Sequence, residues 1–77
     1  MDLKSEVLEV ISKTLDVGKE ELKENEKLYD SIGVDSTEMV ELVVALNKHF
    51  GIKLETSEIT KFSTPAGIAE IVQEKRQ

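Results

Sequence analysis

Apolar residues return at helical intervals in three stretches of the chain. Leu3, Val7, Leu8, Ile11 and Leu15 fall on one face at 100° per residue and predict a first helix over about residues 3–15. Asp2 is suited to cap its start, and Asp16-Val17-Gly18 to end it, with the glycine near the C′ position. In the second stretch Met39, Leu42, Val43, Leu46 and Phe50 share a face, while Thr37, Glu41, Val44 and Lys48 lie opposite. Ser36 and Val40 sit near the border of the two. This helix starts at Asp35 or Ser36, where Asp35-x-x-Glu38 fits a capping box, and Gly51 stops it. In the third stretch Ile68, Ala69, Ile71 and Val72 give a buried face. Pro65 suits the first helical position, and Lys75 and Arg76 suit the negative end of the dipole.

Between these stretches the pattern is weaker. Residues 16–35 form a long connection, but Leu22, Leu28, Tyr29, Ile32 and Val34 are too many apolar residues for a solvated linker. An ordered loop strapped across the bundle is expected, with one short turn of helix near Lys19 to Lys23. After Gly51, Ile52 and Leu54 flank a lysine as in an extended segment. Thr56 or Ser57 then caps a short helix through about Phe62. The predicted fold class is all-α: a small up-down bundle of three main helices and one short helix, with a long ordered loop between the first two. The expected core holds Val7, Leu8, Ile11, Leu15, Leu28, Val43, Leu46, Phe50, Ile59, Phe62, Ile68, Ile71 and Val72. If Phe50 is fully buried, Phe50→Ala costs about 3–5 kcal/mol.

Composition narrows the function. Seventy-seven residues suit a single domain over 1–77, near the lower end of what folds without staples, and no cysteine is present to supply one. The apolar runs are too short to span a membrane, and the first ten residues carry no cleavable apolar run. A cytoplasmic monomer is the default expectation. The net charge of −6 disfavours nucleic acid and favours encounters with basic protein surfaces.

The most informative residues are Gly33-Val34-Asp35-Ser36, directly before the second helix. A glycine turn followed by Asp-Ser offers one primary hydroxyl at the positive end of a helix dipole, a place that favours an anion such as a phosphodiester. Taken alone, Ser36 is better read as a helix cap, since such serines are abundant. The segment Gly33 to Gly51, GVDSTEMVELVVALNKHFG, closely resembles the modification-site helix of acyl carrier proteins. The likeness covers nearly the whole chain in length and element order, and is specific from about Ile32 to Leu54.

The resemblance implies that Ser36 carries 4′-phosphopantetheine taken from coenzyme A. A phosphopantetheinyl transferase would activate the hydroxyl and hold the magnesium ion that the step uses. The arm's thiol would hold acyl cargo as a thioester, so the chain would be a carrier and no enzyme. It also implies that Asp35, Thr37, Glu38, Val40, Glu41, Val44 and Lys48 meet partner enzymes, through acids surrounding an apolar contact. Acyl-loading and acyl-processing enzymes with basic docking surfaces are the expected partners, in fatty-acid or a specialised lipid or secondary-metabolite pathway. A mobile third helix that opens to shelter an acyl chain is a further family trait. Asn47, Lys48 and His49 depart from the family's acids, and Thr37 replaces its usual apolar residue. These departures imply a carrier with a restricted set of partners.

Other chemistries fit less well. The one histidine, His49, lies thirteen residues after Ser36, about 20 Å along a straight helix, so no serine-hydrolase pair forms. Asp30 and Glu41 have the spacing of a calcium loop's first and twelfth positions, but Ile32, Val34 and Asp35 occupy places that must ligate or turn. A peptidyl carrier would show a glycine-glycine-histidine approach to the serine. A D-alanyl, aminoacyl or polyketide-type carrier remains open within the class, as does an unmodified acidic interaction module outside it.

Overall fold

The first periodic stretch folds as α1, Leu3–Leu15, in a computed structural model that describes residues 2–76. Asp2 caps it by accepting the Ser5 N–H at 2.8 Å. The chain leaves α1 at Asp16, not at a glycine: Asp16 itself takes the left-handed conformation (φ 55°), and the amides of Asp16 and Val17 both bond back to the Ser12 carbonyl. Aspartate is among the few non-glycine residues that visit this region at modest cost, which is why Gly18 was not needed there.

The long connection contains a 3₁₀ turn at Lys19–Glu21, where a short turn was expected. It also contains α2, Leu28–Ile32, which the sequence pattern did not show. Five residues carry too little periodicity to announce a helix. The reason α2 forms is tertiary: its leading N–H groups, on Leu28 and Tyr29, donate to the carbonyls of Ser63 and Lys61 at 3.0 and 2.8 Å. Leu22, Leu28 and Val34 are all buried, so the connection is strapped across the core as its composition implied.

The second periodic stretch is α3, Ser36–Phe50, and the third is α4, Pro65–Arg76. The chain turns out of α3 through Gly51, and α1 packs against both α3 and α4. Asn47 closes the following segment by pairing with both backbone groups of Leu54, accepting its N–H at 2.8 Å and donating to its carbonyl at 3.3 Å. That clamp holds Leu54 in the core.

The short helix expected over 56–62 is absent. Turns occupy 56–58 and 61–62. Serine and threonine hydroxyls have taken the backbone donors that a helix would use: Ser63 Oγ accepts the Thr60 N–H and Thr60 Oγ1 accepts the Phe62 N–H. The bundle thus has its three main helices and one short helix, but the short one lies before α3.

Val7, Ile11, Leu28, Leu42, Leu46, Ile59, Ile68 and Val72 form the fully buried centre of the core. Leu15 and Val43 join them, as do Val10, Leu22, Val34, Met39, Leu54 and Ala69, which the expected list did not contain. Leu8, Phe50 and Ile71 are only partly buried at its edge. Phe62 is 54% exposed, contrary to expectation, because without a helix over 56–62 its ring turns away from the bundle.

Lys75 near the end of α4 ties down the loop after α3 by donating to Glu58 at 2.9 Å. That hydrogen bond lowers the Glu58 carboxyl below its ordinary value and raises the Lys75 ammonium above its own. Because the glutamate's folded value is depressed, its contribution to stability is present above its ordinary 4.5 and is lost as pH falls through the folded value. Because the lysine's is raised, its contribution is present below 10.5 and is lost as pH rises through the folded value. Glu58→Gln is therefore expected to lower the melting temperature at neutral pH and to melt like the wild type in strong acid. Melting curves of both proteins from neutral pH into strong acid check this, and a gap that does not narrow as pH falls contradicts it.

Candidate functional site

The site is built where α2 hands over to α3. Gly33 ends α2 in the left-handed conformation (φ 65°), with its amide on the Tyr29 carbonyl. A Cβ there would have open space, so the glycine answers to the backbone angle and not to crowding. The turn sends Val34 into the core and Asp35 outward. Asp35 is the N-cap of α3. Its Oδ1 accepts the Glu38 N–H at 2.8 Å, and Glu38 Oε1 accepts the Asp35 N–H at 3.1 Å. This reciprocal capping box contributes about 1 kcal/mol for the cap alone.

The cap decides the status of Ser36. Because Asp35 holds that role, Ser36 is the first residue of α3 with an exposed side chain, and its hydroxyl meets no hydrogen-bond partner among the described residues. The N–H groups of Glu38 and Met39 are taken by Asp35. Those of Ser36 and Thr37 are left at the positive end of the helix dipole, a setting that favours an anion on the serine oxygen. No base among the described residues is hydrogen-bonded to this oxygen. His49 sits in the last turn of α3 and faces Glu6 of α1 at 3.6 Å.

A cavity of about 420 Å³ opens beside Ser36, walled by Met39, Val40 and Ile59, with Thr56, Thr60, Lys61 and Phe62 around it. A larger open groove of about 670 Å³ runs between the start of α1 and α4, but it shares no lining residue with Ser36 and its walls carry Asp2, Lys4, Glu70 and Glu74.

Thr37, Val40, Glu41, Val44 and Lys48 are all exposed on the outward side of α3, with Val40 48% and Val44 51% open to solvent. Glu38 is half-buried and its carboxylate is engaged in the capping box. Asn47 turns inward to its clamp on Leu54, so its departure from an acid has a structural cause. Lys61 lines the cavity with Phe62, and Tyr29, expected only as an apolar residue of the ordered connection, packs on the Phe62 ring. No periodic signal links them, because the turn at 61–62 and α2 are joined only by tertiary hydrogen bonds.

Comparison with known proteins defines the class first. Residues 5–72 match the family model described as a phosphopantetheine attachment site. An acyl carrier protein of Thermotoga maritima is 34% identical over 71 residues, covering 92% of this chain and 88% of the relative. One from Wolinella succinogenes is 33% identical over 73 residues, 95% of this chain and 96% of the relative. One from Chloroherpeton thalassium is 30% identical over 76 residues, 99% of this chain and 95% of the relative. The chain belongs to the acyl carrier protein family. Its cofactor is covalently attached 4′-phosphopantetheine, and the acyl carrier proteins it is related to are carriers and not catalysts.

Proposed function

We propose that Ser36 bears the 4′-phosphopantetheine arm and that residues 1–77 act as one carrier domain in the cytoplasm, presenting acyl groups to partner enzymes. One observation carries this: Asp35 caps α3, so the adjacent hydroxyl of Ser36 stands exposed, unbonded and at the dipole's positive end. Attachment forms a bond from Ser36 Oγ to the phosphorus of coenzyme A nearest the pantetheine, and releases 3′,5′-adenosine diphosphate. The hydroxyl proton passes to a base on the transferase, since none among the described residues is hydrogen-bonded to it. When bound, the group supplies a thiol that holds an acyl chain as a thioester.

The chain's own residues do the rest. Gly33 and Asp35 set the serine at a fixed helix start. The free N–H groups of Ser36 and Thr37 favour the negative charge that arrives there. Met39, Val40 and Ile59 offer the first apolar walls for a short acyl chain. Val40 and Val44, with Glu41 beside them, form an apolar strip with an acidic edge, suited to a basic partner surface. Incubation with coenzyme A and a promiscuous transferase tests the attachment, and an unmodified product would leave an acidic interaction module.

Lys48 favours a specialised set of partners within fatty-acid, lipid or secondary-metabolite chemistry. It places an exposed cation on the docking face in line with Val44 and Val40, where a basic surface would be repelled. Poor elongation by a general fatty-acid synthase is expected, improved by Lys48→Glu. Elongation of the wild type at ordinary carrier rates would contradict the specialised assignment.

A further inference from the structure

The Phe62 ring lines the Ser36 cavity and the Tyr29 ring packs against it, each with an ammonium over it. Tyr29 is 49% and Phe62 54% exposed, and their centroids lie 5.8 Å apart in a tilted pair. Lys61 Nζ sits 5.0 Å from the Tyr29 centroid and 5.5 Å from that of Phe62, and Lys27 Nζ 5.9 Å from Phe62. The cluster is fixed by backbone and not by side chains alone, since the Tyr29 and Leu28 amides bond the Lys61 and Ser63 carbonyls. No carboxylate among the described residues lies within ion-pair distance of Lys61. Lys61 and Phe62 line the same cavity as Ser36.

We infer that Lys61, Phe62 and Tyr29 form a cradle for the chain's own prosthetic arm, with Lys61 pairing the phosphodiester and the two rings covering the pantetheine. This rests on Ser36 being the attachment point. Charge selects the occupant. Partner enzymes suited to a protein of net charge −6 are basic, and a second copy carries the same −6, so neither complements a lysine pair. A phosphodiester tethered to the same cavity wall does complement it, and tethering holds it there at high effective concentration. The ammonium that rests over the rings in the unmodified chain gains an anion when Ser36 is modified, and the exposed ring faces gain an apolar cover. Lys61 and the two rings are positioning residues, since they set where the arm rests between partners.

Nuclear magnetic resonance of the modified protein tests the cradle after intact mass has confirmed the adduct. The phosphorus resonance and the two pantoyl methyl resonances are compared with their free positions, those of the same phosphodiester-linked arm on the modified protein unfolded in urea. In the wild type the methyls are expected upfield of the free positions, through the ring currents of Phe62 and Tyr29. The phosphorus line should also be displaced, and should return toward its free position at 1 M salt. Lys61→Ala should return the phosphorus line in the same way, and Lys61→Arg should keep it displaced. Phe62→Leu, which retains apolar bulk without a ring, should return the methyls. Wild-type resonances at the free positions, or resonances unmoved by both Lys61→Ala and Phe62→Leu, would overturn the cradle while leaving the attachment intact. Absence of the mass gain would instead overturn the attachment itself.

Discussion

Ser36→Ala is expected to remove all covalent loading by coenzyme A and a promiscuous transferase, while the variant melts at or slightly above the wild-type temperature. The two halves of this result have separate physical causes. Loading is lost because the Ser36 hydroxyl, the proposed acceptor at the first position of α3, is gone. Stability is kept because that oxygen makes no hydrogen bond in the fold and alanine has the higher helix propensity. Asp35 would not give so clean an answer, because its carboxylate caps α3 as well as lying beside the modified position. A Ser36→Ala protein that still gained the roughly 340 Da of the arm would show that another hydroxyl is the acceptor.

Leu46→Ala is expected to be the most damaging of the simple truncations, at about 2–5 kcal/mol. Leu46 lies wholly buried in the middle of α3, the helix that presents the site and packs on α1. A domain of this length has a total stability on the order of 4–12 kcal/mol, so the loss is a large fraction of the whole. At roughly 4–8 °C per kcal/mol, the melting temperature should fall by at least ~8 °C. Phe50→Ala should fall short of the 3–5 kcal/mol that full burial would imply. Its ring is only partly covered, met edge-on by His49 at 4.6 Å and by the Arg76 guanidinium at 5.6 Å at the edge of the core. Thermal melts of the two variants side by side test this ranking, and a Phe50→Ala protein less stable than Leu46→Ala would reverse the assignment of core and rim.

The parts of the fold that were legible in the sequence are those held by local rules. The faces of α1, α3 and α4 follow from apolar spacing, and their starts from Asp2, Asp35 and Pro65. The strapped loop was legible from its apolar content, because Leu22 and Val34 had to be buried somewhere. What was not legible depends on groups far apart in the chain. The start of α2 is completed by carbonyls of Lys61 and Ser63, and no residue near Leu28 announces them. The segment 56–62 has the apolar spacing of a short helix, but its threonine and serine hydroxyls claim the backbone amides first. That single misreading moved Phe62 from the rim to the core, and with it hid the aromatic and basic edge of the cavity. Asn47 looked like a lost docking acid until its clamp on Leu54 gave it a place in the fold.

At the site itself the residues alone favoured Ser36 as a helix cap. The capping box gives that place to Asp35, which exchanges its bonds with Glu38 and leaves the Ser36 hydroxyl out of the cap. The family match supplies the chemistry of the group, and the local geometry supplies the oxygen that is free to carry it. The measurement that bears most directly on this is peptide-level localisation of the adduct. The wild-type protein is loaded from coenzyme A, digested, and fragmented by a method that preserves the phosphodiester. The arm should be found on Ser36 in the peptide that carries Asp35 and Thr37. Its appearance on any other serine or threonine, with Ser36 unmodified, would contradict the assignment.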